Sequence, residues 1–322
     1  MRVVFRTDAS LKIGTGHVMR CLTLAEVLSS RGAEVAFICR ANAGNLIPLI
    51  KERGFDVTTL HSKSELDQFQ SDLVEHASWL ECDWQTDALQ SREALQSPVD
   101  WIVVDHYALD KRWETALRDR CTRMMCIDDL ADRKHDCDML LDQSLGRCNR
   151  DYLSLVSEHT ELFLGPKYAL LRPEFAQWRD TSLLRRDKPQ LRHILVTMGG
   201  VDIDNITSRV LNSIRICNVP ALEQITVVMG PHSPWISKIQ SQAKQMEVPT
   251  QVVSGINNMA ERMTACDLSI GAGGSTTWER CALGIPAITI ILAKNQIEVA
   301  EQMKVNGASL IMDLEKNNNI KL

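Results

Sequence analysis

The sequence predicts an α/β protein built from two Rossmann-like domains, each a doubly wound parallel sheet, facing one another across a cleft. Three observations predict it. At 322 residues the chain is too long for one ordinary core and suits two domains. Short β-rich runs alternate with stretches of helical period, the βαβ rhythm of a parallel sheet. That rhythm breaks once, between Lys167 and Gln190, where charge accumulates (Arg172, Glu174, Arg179, Asp180, Arg185, Arg186, Asp187, Lys188) between the breakers Pro173 and Pro189. The predicted division is therefore a first domain over 1–166, an interdomain linker over 167–190 and a second domain over 191–322.

The elements follow in order. Arg2 to Thr7 is a β-rich run, and His17 to Ser30 carries Val18, Cys21, Leu22, Ala25 and Leu28 at helical spacing before the stop signal Arg31-Gly32. Glu34 to Cys39 predicts the next strand, Leu46 to Arg53 a helix capped by Gly54, and Asp56 to Leu60 another strand. A polar helical stretch runs from about Ser64 to Leu95. Strands return at Trp101 to Asp105, Met124 to Asp128 and Met139 to Leu141. The second series has strands at His193 to Met198, Ile225 to Met229, Gln251 to Val253, Asp267 to Ile270 and Ala287 to Ile291, with helices between them.

Composition narrows the function. With 44% apolar and 24% charged residues the chain can bury a core. Its net charge of -5 gives no global positive field for nucleic acid or anionic lipid, so neither is an expected partner. Arg2, Arg6 and Asp8 surround only Val3 to Phe5, which lacks the apolar core of a signal peptide, and no stretch approaches the roughly 20 apolar residues of a membrane span. A cytoplasmic address is expected. The ten cysteines form no compact framework and several fall in apolar runs, which suggests reduced core thiols. Cys121, Cys126, His135 and Cys137 come nearest to a zinc pattern, but no C-x-x-C pair exists and no metal site is expected.

The strongest local signal is Gly271-Ala272-Gly273-Gly274-Ser275-Thr276-Thr277-Trp278-Glu279, which follows a predicted strand and opens a helix. Glycines there let backbone approach a ligand, and free amides at a helix start suit a phosphate. Glu279 is placed to accept hydrogen bonds from a ribose diol; the plainer alternative is a flexible turn with a solvent-facing Glu. In the first half, Gly14-Thr15-Gly16-His17 also joins strand to helix, but Met19 and Cys39-Arg40 stand where a dinucleotide fingerprint wants a small residue and an acid. NAD is not supported and no cofactor is expected. Instead the two glycines present an imidazole at the mouth of the sheet, neutral beside a helix start and able to act as a base. A structural histidine is the alternative.

Gly199-Gly200 and Asp105-His106-Tyr107 lie just past strand ends, where loops carry binding groups. Asp202-Ile203-Asp204 matches a metal-holding acidic pair superficially and a helix start better. Asn295 and Gln296 offer amides to a sugar or its phosphate, or simply begin a helix.

Together these stretches resemble one family. Arg6-Thr7-Asp8-Ala9-Ser10 with Gly14 to Leu22, Val104 to Tyr107, Ile127 to Arg133, Gly165 to Arg172, Thr197 to Gly200 and Gly271 to Glu279 are similar to the UDP-2,4-diacetamido-2,4,6-trideoxy-β-L-altropyranose hydrolases of pseudaminic acid biosynthesis. The resemblance implies the two-domain GT-B arrangement of the peptidoglycan UDP-GlcNAc transferase, and release of UDP with inversion at the anomeric carbon. It implies that His17 is the general base, with Tyr107 and Asn295 at the reacting end. UDP would lie mainly on the second domain, against Gly199, Gly200, Gly230, Gly273, Gly274, Ser275 and Glu279. Gly14 and Gly16 would shape the turn before the base, and Arg20, about one turn along the same helix, is expected to help hold substrate. The alternatives are a GT-B glycosyltransferase using the same base on an acceptor hydroxyl, and a noncatalytic UDP-sugar-binding subunit, which would have no use for His17.

Overall fold

The computed structural model describes residues 1–61, 76–217 and 219–313. Within it the chain forms two compact units, Met1–Leu170 and Leu171–Leu322. The first part of the predicted polar helical stretch, 64–75, and the polar tail, 314–322, lie outside the described residues.

The first unit opens with β1 (Arg2–Thr7), α1 (Gly16–Ser30), β2 (Glu34–Arg40), α2 (Ile47–Glu52) and β3 (Asp56–Leu60). It continues through α3 (Trp84–Ala94), β4 (Val99–Asp105), α4 (Lys111–Ala116), β5 (Cys121–Ile127), β6 (Met139–Asp142), α5 (Asn149–Tyr152) and β7 (Glu161–Leu164). Its strands pair in the order β3-β2-β1-β4-β5-β6-β7, all parallel. Parallel sheets bury both faces, and β1 shows why it reads as one apolar run. Val4 packs into the cluster with Ile102, Val104 and Trp113, whereas Val3 and Phe5 pack against Val18, Leu22 and Phe37 on the other side.

The second unit comprises α6 (Pro173–Arg185), β8 (His193–Thr197), α7 (Ile206–Cys217), β9 (Gln224–Met229), α8 (Ile236–Ala243) and β10 (Thr250–Ser254). There follow α9 (Met259–Ala265), β11 (Leu268–Ala272), α10 (Thr276–Ala282), β12 (Ala287–Ile291), α11 (Ile297–Val305) and β13 (Leu310–Asp313). The strand order is β10-β9-β8-β11-β12-β13, again parallel throughout. Both units are Rossmann-like. Among the described residues no helix is long and apolar enough to cross a membrane.

The stretch 167–190, predicted as a linker, is mostly structured. Pro173 occupies the first turn of α6, where its missing N–H costs nothing. Phe175 is 1% exposed and packs with Leu195, Met259, Met263 and Leu283, and Trp178 joins the same cluster. Ser182 Oγ donates to the Leu283 carbonyl at 2.7 Å. Three residues at helical spacing thus dock α6 on the second unit, while the charged residues between them face outward and hide the period.

The Asp202 segment starts a helix, as its sequence favours. The Asp202 carboxylate accepts hydrogen bonds from the Ile206 and Thr207 amides at 2.8 and 3.0 Å.

Candidate functional site

In each sheet the strand order reverses once, between β1 and β4 and between β8 and β11. At such a switch point the loops leaving neighbouring strands diverge, opening a crevice beyond their carboxyl ends. The sequence motifs fall on these two places. Thr7 pairs with Asp105 at one, and Thr197 with Gly271 at the other.

In the first unit, Gly14 takes φ +79° and its amide bonds the Ser10 carbonyl at 2.8 Å, closing the turn that starts α1 at Gly16. His17 follows, largely buried, with Nδ1 2.6 Å from Asp105 Oδ1. This bond selects the tautomer: Nδ1–H donates to the carboxylate and Nε2 keeps its lone pair. Arg20 lies one turn on, with Nε 2.6 Å from Asp105 Oδ2 and Nη2 2.7 Å from Oδ1. Burial works to raise the Asp105 pKa, but the Arg20 charge and the hydrogen bonds from Arg20 and His17 outweigh it and hold the carboxyl well below its usual range.

Tyr107 stands edge-on to His17 with ring centroids 4.5 Å apart. Its hydroxyl donates to Asp129 Oδ2 at 2.8 Å, and Arg20 Nη1 bonds the same oxygen. Burial and the Asp129 charge push the Tyr107 hydroxyl far above its usual value, so it stays a donor. Trp79 stacks on Tyr107 at 5.8 Å. Arg20 is 5% exposed and its donors serve Asp105 and Asp129, bracing the carboxylate that holds the imidazole. Asp129, Trp79 and the His17–Asp105 link are not legible in the sequence, because sheet order alone joins positions 88 residues apart.

Beneath this lies a charged layer without solvent contact. Arg6 bonds Asp8 at 2.7 and 2.8 Å and Asp87 at 2.6 and 3.0 Å. Arg40 adds a bond to Asp87 at 2.6 Å, and Trp113 Nε1 donates to the same carboxylate at 2.9 Å. Each buried charge has an opposite partner, which is the condition for keeping it there.

In the second unit close approach requires some of the predicted glycines and not others. A Cβ on Gly230 would fall 1.8 Å from the Gly200 carbonyl oxygen, so the loops after β8 and β9 meet backbone to backbone. Gly199 turns with φ +82°. Gly273 lies against Gln296, whose Oε1 accepts from the Leu292 amide at 3.0 Å, while Gly274 faces open space. Ser275 precedes α10, and Asn295 sits half-buried in the short turn Lys294–Gln296. Glu279 Oε1 accepts from Arg172 Nη2 at 3.2 Å. Burial raises its pKa, with Arg172 opposing.

Away from these crevices, Glu114, Cys126 and His135 place possible ligand atoms within 4.8 Å of one another. Glu114 is already occupied there: it accepts from Cys126 Sγ at 3.1 Å, His135 Nδ1 at 2.7 Å and the Asp136 amide at 2.5 Å. Of the cysteines, Cys21, Cys39, Cys82, Cys126, Cys137 and Cys266 are buried thiols without disulfides.

Two Rossmann-like units with these crevices define the GT-B class, and comparison with solved structures agrees. MurG of Acinetobacter baumannii superposes with a TM-score of 0.63 at 16% identity, covering 98% of this chain and 86% of that one. Residues 193–322 match the glycosyltransferase family 28 C-terminal domain. The resemblance read from the motifs extends along the chain. The UDP-2,4-diacetamido-2,4,6-trideoxy-beta-L-altropyranose hydrolase of Campylobacter jejuni is 25% identical over 308 residues, covering 95% of this chain and 97% of that protein. An uncharacterized protein of Methanocaldococcus jannaschii is 26% identical over 304 residues. That match covers 92% of this chain, which spans 57% of the length of the archaeal protein.

Proposed function

We propose that this chain hydrolyses UDP-2,4-diacetamido-2,4,6-trideoxy-β-L-altropyranose to UDP and the free sugar, with inversion at the anomeric carbon, as a cytoplasmic step toward CMP-pseudaminic acid. The observation that carries the reading is the His17–Asp105 pair at 2.6 Å, an imidazole with its tautomer fixed and Nε2 left to take a proton. The similarity to the Campylobacter hydrolase supports the choice of substrate.

In this reading His17 Nε2 removes a proton from water and Asp105 stabilises the imidazolium that forms. The water oxygen attacks the anomeric carbon opposite the nucleotide, and the electron pair of the breaking carbon–oxygen bond leaves on the β-phosphate. The last proton of such a phosphate comes off near pH 6, so the leaving group needs charge stabilisation more than an acid. The backbone at Gly273, Gly274 and Ser275 supplies it, with Gly199, Gly200, Gly230, Glu279 and Gln296 holding the rest of UDP. Tyr107 and Asn295 line the reacting end, and the base contributes roughly 10²–10⁴-fold. No metal or cofactor enters the scheme.

The test incubates the purified chain, chelator present, with several UDP-amino sugars and follows free UDP and reducing sugar by NMR. Hydrolysis confined to the altrose-configured substrate is expected. His17→Asn and His17→Phe should abolish turnover while UDP still binds in calorimetry; near-normal activity in either would remove His17 from the mechanism. The family 28 match favours one other reading, a glycosyltransferase, which releases no UDP until an acceptor is supplied.

A further inference from the structure

Among the described residues three arginines are at most 1% exposed: Arg6, Arg40 and Arg280. The first two bond carboxylates, whereas Arg280, on α10, bonds none among the described residues. Its Nη2 donates to the Ala272 carbonyl at 2.9 Å, to Thr277 Oγ1 at 3.0 Å and to Thr289 Oγ1 at 3.4 Å. Its Nη1 is buried with no hydrogen-bond partner. Room for it exists because position 271 is glycine, where a Cβ would lie 2.5 Å from Nη1. The neighbouring Glu279 is turned to Arg172 instead.

An unpaired guanidinium in the interior is costly and persists where something compensates it. Burial draws its pKa down to about 10, so the charge remains at neutral pH. The groups it grips, Ala272 and Thr277, are the two ends of the loop carrying Gly273, Gly274 and Ser275. A positive charge directly under that loop, screened little by water, favours an anion on the loop's outer surface.

We propose that Arg280 is a positioning residue that acts as the buried counter-charge of the nucleotide's diphosphate, holding the 272–277 loop from beneath and finding its balancing anion only when the ligand binds. This rests on reading that loop as the diphosphate site. It differs from direct binding in that Arg280 never touches the ligand.

The test measures dissociation constants of UDP and of uridine for the full chain and for Arg280→Met and Arg280→Lys by calorimetry. Arg280→Met should weaken UDP by roughly ten- to a hundredfold, the effect of one charge over several ångströms at an effective dielectric of about 20. Uridine, which has no phosphate, should change less than about threefold, and Arg280→Lys should keep most of the preference for UDP over uridine. A merely structural role weakens both ligands in proportion, and that result overturns the inference. In the unmutated chain, the NMR signal of the Arg280 side chain should shift with UDP and stay still with uridine. A signal unmoved by bound UDP also overturns it, even if both variants fold poorly. Failure of the unmutated chain to bind UDP at all would instead strike the underlying reading of the loop.

Discussion

His17 Nδ1 lies 2.6 Å from Asp105 Oδ1, so a residue at the start of the first helix is aimed by the last residue of a strand 88 positions later. An amide at 105 can present its NH₂ to Nδ1 and select the other tautomer. Asp105→Asn should therefore lower the turnover number by about 10²–10⁴-fold, while the dissociation constant of UDP stays within about threefold. Steady-state UDP release and calorimetry read the two effects separately. An unchanged turnover number would free His17 from dependence on Asp105.

Gly230→Ala forces a methyl to within 1.8 Å of the Gly200 carbonyl oxygen, and neither side is a movable side chain. Overpacking of this kind costs about 1–3 kcal/mol or more, several degrees in melting temperature for a unit of this size. UDP binding should weaken with it. Gly274→Ala, which meets nothing within 4 Å, is the control and should melt with the unmutated chain.

Asp87 is the carboxylate shared by Arg6 and Arg40. Asp87→Ala leaves both guanidinium groups short of a partner in a place without water, at a cost of about 3–5 kcal/mol. A fall of roughly 10 °C in melting temperature is expected, read by calorimetry. A change under 2 °C, on the order of half a kcal/mol, would show the layer to be dispensable.

The pair His135–Glu114 gives stability a pH dependence with a defined sign. Burial works to lower the His135 pKa, but the Glu114 charge 2.7 Å away more than reverses it, so the folded value lies above the ordinary 6.5. The folded chain thus holds this proton more tightly than the unfolded one. The stabilisation is fully present below about pH 6.5 and is lost as pH rises through the folded value. His135→Gln should therefore cost more at pH 6 than at pH 9 in parallel thermal melts. An equal cost at both would mean the imidazole contributes only by packing.

Much of the fold is legible because parallel strands covered on both faces read as continuous apolar runs ended by turn residues. Trp101 to Asp105 marks β4 in this way. The edge strands Glu161–Leu164 and Leu310–Asp313 escape notice, being only four residues long with one side of each unpaired. The helix Pro173–Arg185 is hidden by its own exposed charges, since the face it buries is narrow, with Phe175, Trp178 and Ser182 at its centre. At the candidate site, sequence marks residues one turn at a time: His17, the Asp105-His106-Tyr107 loop, Gly199-Gly200 and the glycines from 271 to 274. Which of these groups meet, His17 with Asp105 and Tyr107 with Asp129, is invisible until the strand order sets β1, β4 and β5 side by side. The unpaired state of Arg280 is likewise a property of its surroundings, and no spacing encodes it.

Asp105 steadies the imidazole through Oδ1, and the same carboxylate anchors Arg20 through both of its oxygens. A library sorted for soluble expression and one sorted for turnover would consequently discard many of the same substitutions at position 105, the isosteric Asp105→Asn excepted. Improvement of the reaction by directed evolution has little freedom there, and gains must come from positions whose failure leaves the architecture standing.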